Sequence, residues 1–192
     1  MKFFVIFAAI ALWFPFSLRA EAVRSLHHDL NITLHPSEHR LSGSDRVTVD
    51  AGAASSLLFH LSLTASVHGV SVSGEKRAFT FKNGQLLIPL QGDDRRNPLI
   101  LSIEFSASFR DPVPDTFANS DNPGYGVTGI ISERGTFLQA GAGWYPEIEG
   151  SSPFFRLRVE APSGILAVTS GRCLGHTTQK GKSFSEWETG FP

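Results

Sequence analysis

An all-β domain, a saddle-like antiparallel β-sandwich or set of open sheets, is what this sequence predicts. Apolar residues recur with a period of two, turn-forming residues punctuate them at roughly 8–12-residue spacing, and no stretch beyond residue 22 keeps a helical period. Composition agrees: 41% of the 192 residues are apolar, 18% are charged and the net charge is −1, which excludes a disordered chain. One Cys excludes a disulfide scaffold. Interspersed charges leave no basic footprint for nucleic acid and no polybasic patch for anionic lipid.

Residues 1–22 read as a secretory signal peptide. Lys2 precedes an apolar run from Phe3 to Trp13, Pro15 interrupts the segment, and Ala20-Glu21-Ala22 forms an A-x-A cleavage site. The run falls short of the roughly 20 residues that span a bilayer as a helix. An uncleaved anchor is the alternative. Cleavage after Ala22 leaves residues 23–192 as one exported β domain, periplasmic or extracellular, with Cys173 as its sole thiol. A lone thiol reads as a small buried hydrophobe rather than as a nucleophile.

The strands follow in order. Leu30, Ile32 and Leu34 alternate with Asn31 and Thr33; Val47 and Val49 alternate with Arg46, Thr48 and Asp50. Leu57–Leu61 and the pair Val70 and Val72 come next, then Phe79–Phe81 and Leu86, Ile88, Leu90 around Asn83-Gly84. Asn and Gly tolerate the positive φ angles of a type I′ turn, so that pair predicts a hairpin. The longest alternation runs from Leu99 to Phe109, and Phe155, Leu157 and Val159 form another. Such alternation places one face on a core and the other in water. Ser42-Gly43-Ser44, Gln91-Gly92-Asp93-Asp94, Pro162-Ser163-Gly164 and Lys180-Gly181-Lys182 read as turns, giving about ten or eleven strands. Asp111–Gly143 reads as a long irregular segment with apolar islands at Val127–Ile131 and Phe137-Leu138, the kind of segment that carries function or an interface.

Chemistry-bearing residues are sparse. His35-Pro36-Ser37-Glu38-His39 matches H-x-x-E-H, but that zinc chemistry needs two His one turn apart on a helix. Here the match lies between two strands and reads as a solvent-exposed hairpin loop. His27 and His28 are adjacent on one strand and point to opposite faces. His60 reads as a partly buried sheet residue, and Asp93-Asp94 as a solvated turn. H-E-x-x-H, G-x-S-x-G, P-loop and dinucleotide fingerprints do not occur. No catalytic, cofactor-binding or metal-ligating set is assigned. Trp144-Tyr145-Pro146, after the small residues Gly141-Ala142-Gly143, is the most informative cluster. It reads either as an aromatic plug closing one edge of the core or as an anchor against another domain.

The order of these pieces resembles the N-terminal domain of aminopeptidase N-like (gluzincin) zinc metallopeptidases. The first hairpin, Asp29–Pro36 with Leu41–Val49, the strand Leu99–Phe109, Gly135-Thr136-Phe137-Leu138, Gly143-Trp144-Tyr145-Pro146, Phe155–Val159 with Ala161-Pro162, and Trp187 carry the likeness. The resemblance implies a largely antiparallel β domain that packs against a catalytic domain. Zinc, H-E-x-x-H and the G-x-M-E-N loop belong to that later domain, so no cofactor is expected in this chain, and the chain ends about where that domain would begin. Trp144, Tyr145 and Pro146 transfer as packing positions at the domain interface. The function expected is a non-catalytic front domain that braces a metallopeptidase. A free-standing exported β-sandwich that binds a ligand or partner is the rival, and a metallohydrolase built on His35, Glu38 and His39 is a third reading.

Overall fold

A computed structural model describes residues 23–95, 98–112 and 127–190. The signal segment, residues 1–22, lies outside the described residues. Strands β1 (Arg24–His35), β2 (Arg40–Asp50), β3 (Ser56–His60), β4 (Ser66–Val72), β5 (Glu75–Lys76), β6 (Thr80–Lys82), β7 (Gln85–Pro89), β8 (Leu99–Ser108), β9 (Gly129–Ser132), β10 (Gly135–Leu138), β11 (Phe154–Pro162), β12 (Arg172–Gln179) and β13 (Lys182–Glu188) follow in chain order. The only helical turns among the described residues are short 3₁₀ segments at Pro36–Glu38 and Gly92–Arg95. An eight-stranded sheet runs β12-β13-β11-β1-β2-β8-β4-β5, a three-stranded sheet runs β3-β7-β6, and β9 and β10 pair as a hairpin. The sheets are open, and the all-β prediction holds.

Alternation explains how the two larger sheets meet. Leu30, Ile32, Val47, Val49, Leu99, Leu101, Ile103 and Phe105 turn one face of the large sheet inward, and Leu57, Phe59, Leu86 and Ile88 turn the small sheet towards it. Each such buried side chain contributes about 1.5–3 kcal/mol. The Asn83-Gly84 hairpin forms as expected, with φ of 51° and 75° joining β6 to β7.

Several expectations are corrected. Most of the large sheet is antiparallel, but β1 and β11 pair in parallel, His27 beside Phe154 through to Thr33 beside Glu160. Ser42-Gly43-Ser44 is no turn; it lies inside β2, where Gly43 sits between Ile32 and Phe105. A Cβ there would come within 2.6 Å of Ile32 Cδ1, so the glycine serves close packing. Within the segment read as irregular, the two apolar islands form the hairpin β9–β10. Residues 113–126 lie outside the described residues. Cys173 is exposed, because the edge strand β12 has no layer over it. Asp94 is buried in its 3₁₀ turn, where it accepts from Gln91 N–H at 2.7 Å and pairs with Arg77 at 2.9 Å. The H-x-x-E-H match is the tip of the β1–β2 hairpin and not a helix. It is not wholly in solvent either, since Pro36 is buried and His39 Nδ1 lies 2.6 Å from the Ile131 carbonyl of β9.

Candidate functional site

Trp144, Tyr145 and Pro146 are delivered by a segment that the small residues before it allow to lie flat on the sheet edge. Gly143 has φ of 67°, and its carbonyl accepts from Ser62 N–H at 2.8 Å. Two residues beyond Tyr145, Glu147 exchanges backbone hydrogen bonds with His60 at the end of β3, 2.7 and 3.0 Å long. Further on, Ser151 Oγ accepts from Ser25 N–H at 3.0 Å. The segment is thus pinned at three points: to β1, to the end of β3 and to Ser62 just beyond it. Pro146 is buried, while Trp144 and Tyr145 are half-buried and stack edge to face with centroids 4.5 Å apart. The structure therefore brings the three residues together between core and surface.

Beneath Tyr145 lies a pair that the sequence reading missed. His28 Nδ1 and Asp45 Oδ2 are 2.6 Å apart, and both side chains are fully buried. His27, its neighbour, is exposed, as opposite faces of a strand require. The Tyr145 ring meets the His28 ring edge-on at 5.3 Å and Phe155 at 6.5 Å. Burial pushes the Asp45 carboxyl up, while the His28 hydrogen bond favours its ionised form. Glu147, half-buried, is also pushed up by burial, against hydrogen bonds from the Tyr145 hydroxyl and Gly141 N–H. Tyr145 is raised above the ordinary phenol range by burial first and then by the Glu147 charge.

Several concavities lie beside this segment, two of them with aromatic walls. One, about 590 Å³, is lined by Ser25, His28, His60, Tyr145, Glu147 and Glu149 among others. The other, about 500 Å³, is lined by the indoles of Trp144 and Trp187 and by Leu138, Leu157 and Ile165, with Glu133, Arg134 and Thr136 also in its wall. Leu166 and Val168 on its rim are 56% and 72% exposed. The Trp187 indole N–H donates to the Ala167 carbonyl at 3.0 Å, which holds the 164–169 strap against β13. Across the sheet's opposite face, Arg158 bonds Asp29 and Glu186, Arg156 bonds Glu186, and Arg172 bonds Glu188, an exposed ladder of ion pairs.

Among the described residues, no group of three or more His, Cys, Asp or Glu is arranged to hold a metal ion. His35 Nε2 is occupied with Ser42 Oγ at 3.0 Å and Glu38 with Arg40 at 2.7 Å, so the H-x-x-E-H side chains are spent on local bonds. No helix among the described residues is long and apolar enough to cross a membrane.

No family model matches the sequence, and no curated protein matches it. Solved structures do match the fold. An M1 zinc metallopeptidase from Deinococcus radiodurans superposes with a TM-score of 0.62 at 18% identity, covering 87% of this chain and 39% of that one. A two-domain M1 zinc metallopeptidase variant bound to L-tryptophan gives 0.64 at 20% identity over 88% of this chain and 39% of that one. Yeast LTA4 hydrolase in complex with bestatin gives 0.53 at 19%, over 86% and 26%. The chain thus spans about two-fifths or less of the length of the structures it matches. Its fold is that of the N-terminal β domain of aminopeptidase N-like zinc metallopeptidases.

Proposed function

We propose that this chain is the non-catalytic N-terminal domain of an exported aminopeptidase N-like zinc metallopeptidase, packing against a catalytic domain and shaping its substrate cleft. The fold likeness carries the reading: nearly all of the described chain matches under half of much larger peptidases. The groove lined by Trp144 and Trp187 supports it, since the exposed apolar residues Leu166 and Val168 on its rim are surface that a partner would cover. Trp144, Tyr145 and Pro146 then stand at the domain interface, with the two aromatics half-buried by their own fold and free to complete burial against the neighbour. Zinc and the peptide-cleaving chemistry belong to that neighbour. Export rests on residues 1–22, with the mature chain starting at Val23.

Purification of the tagged protein from its native host provides the test. The expected result is a mature N-terminus at Val23 and recovery of an H-E-x-x-H metallopeptidase domain, in the same polypeptide or as a stoichiometric companion. Aminoacyl-amide hydrolysis should travel with that domain. Stoichiometric zinc and hydrolysis by residues 23–192 alone would overturn the reading, as would a monomer with no such domain and no activity.

A further inference from the structure

The groove lined by Trp144 and Trp187 is bordered by open backbone as well as by side chains. Among the described residues, β10 bonds to β9 on one side only. The ladder itself says which of its groups face the other side. Asp111 N–H donates to the Gly129 carbonyl and Ile131 N–H donates to the Phe109 carbonyl, so Gly129 and Ile131 turn their backbone groups away from β10. In an antiparallel pair, the residues opposite such positions also turn theirs outward. Those residues are Leu138 and Thr136. Their N–H and C=O groups form the free edge of the hairpin. The same two residues line the groove, whereas Phe137 between them does not. The 164–169 strap lines it as well. Ala167 spends its N–H on Ser185 Oγ and its carbonyl on the Trp187 indole. Leu166 and Val168, on either side of it, are exposed, and their backbone groups make no hydrogen bond among the described residues. A partner that covered these groups with an apolar surface would bury them unpaired, at a cost in free energy. An extended segment covers them and pairs them.

We infer that this groove takes an extended segment of the catalytic domain, added to β10 as a further strand with an apolar side chain at every second residue. The inference rests on the interface reading above and names what the neighbour brings. Trp144 belongs both to that interface and to this groove, so the groove continues the face on which the catalytic domain packs. Strand addition to an open sheet edge draws affinity from main-chain hydrogen bonds and specificity from alternate side chains. The incoming residues opposite Thr136 and Leu138 exchange both backbone bonds with them and share their side-chain face. That face is the one towards Trp144 and Trp187, because Thr136 and Leu138 line the groove with them. The segment therefore reads apolar-x-apolar, with β-branched residues favoured at the two apolar positions.

The full chain can be titrated without its partner. Backbone amide resonances are followed by NMR as the peptide acetyl-Thr-Val-Thr-Val-Thr-amide is added, with the same peptide N-methylated at both valines as the control. Saturable shifts at Thr136 and Leu138 and at the Trp187 indole N–H are expected, at a dissociation constant on the order of millimolar. N-methylation should weaken binding about tenfold, since it removes the donors that face β10. Thr136→Pro deletes an outward N–H and leaves the β9 ladder intact, and Val168→Asp sets a charge on the rim without touching the core. Each should weaken the peptide about fivefold or more. Full affinity for the N-methylated peptide, or in either variant, would overturn strand addition. Shifts at Thr136 and Leu138 that grow with protein concentration in the absence of peptide would overturn it too, by assigning the edge to a second copy. So would binding that requires a free N-terminal amine. In the native protein carrying the catalytic domain, the Thr136 and Leu138 amides should exchange with solvent at least about tenfold more slowly than in the chain alone. Unchanged rates there would overturn that domain as the source of the strand. A flat titration leaves the metallopeptidase reading standing, and absence of a companion domain leaves the titration interpretable.

Discussion

His28 and Asp45 occupy core-facing positions on adjacent strands, in phase with buried apolar residues: Leu30 beyond His28, Val47 and Val49 beyond Asp45. Removing one partner of such a pair leaves a buried charge uncompensated, while replacing both by apolar groups of similar size removes the problem. Asp45→Ala should therefore destabilise the domain by about 3–5 kcal/mol. The double variant His28→Leu/Asp45→Leu should be less destabilised than Asp45→Ala, as read in urea unfolding midpoints. Equal losses in the two would show that the pair is not coupled. The same residues show what was legible at this scale. A His and an Asp each fall in the apolar phase of an alternating strand, and that coincidence was visible in the sequence. Period alone could not say that the strands pair, so His28 was read only as the opposite face to His27. The aromatic cluster was easier to see, because Trp144-Tyr145-Pro146 follows three small residues and stands out by size.

At the scale of elements, glycine was the least reliable signal. Gly84 marks a hairpin turn as expected, but Gly43 lies mid-strand because Ile32 and Phe105 leave no room for a Cβ. A sequence cannot distinguish a glycine needed for its φ from one needed for its lack of side chain. Gly143 is needed for both: its φ is 67°, and a Cβ would fall 2.3 Å from Ser62 N and 2.5 Å from the Leu61 carbonyl carbon. Gly141 has a similar φ of 79° but open space around it. The two therefore separate conformational strain from collision. Gly141→Ala should cost about 1 kcal/mol, the penalty of a left-handed residue. Gly143→Ala should cost roughly 3 kcal/mol or more, because the 140–147 segment must also lift from β3. Matched thermal melts decide it, and equal losses at the two positions would refute the close approach of this segment to Ser62.

Across the whole molecule, the sheet is layered from a protected centre to bare edges. Strands β1, β2 and β8 lie mid-sheet with neighbours on both sides and apolar faces against the small sheet. Strand β12 forms one edge, bonds only to β13, and exposes every residue from Arg172 to Gln179. This gradient follows from strand order, which periodicity does not encode: alternation says that a strand has one buried face, never which strand lies beside it. The parallel pairing of β1 with β11, segments from opposite ends of the described chain, is the clearest case. Opening free energies in a folded protein range from near zero at edges to the global value in the core. Amides of β2 and β8 should accordingly exchange with solvent only through global unfolding, with denaturant sensitivity matching the equilibrium transition. Amides of β12 should exchange at least about a hundredfold faster, through local opening with little denaturant dependence. Protection of β12 equal to that of β2 would mean that the edge is covered in solution, by a second copy or by a part of the chain that the described residues do not include.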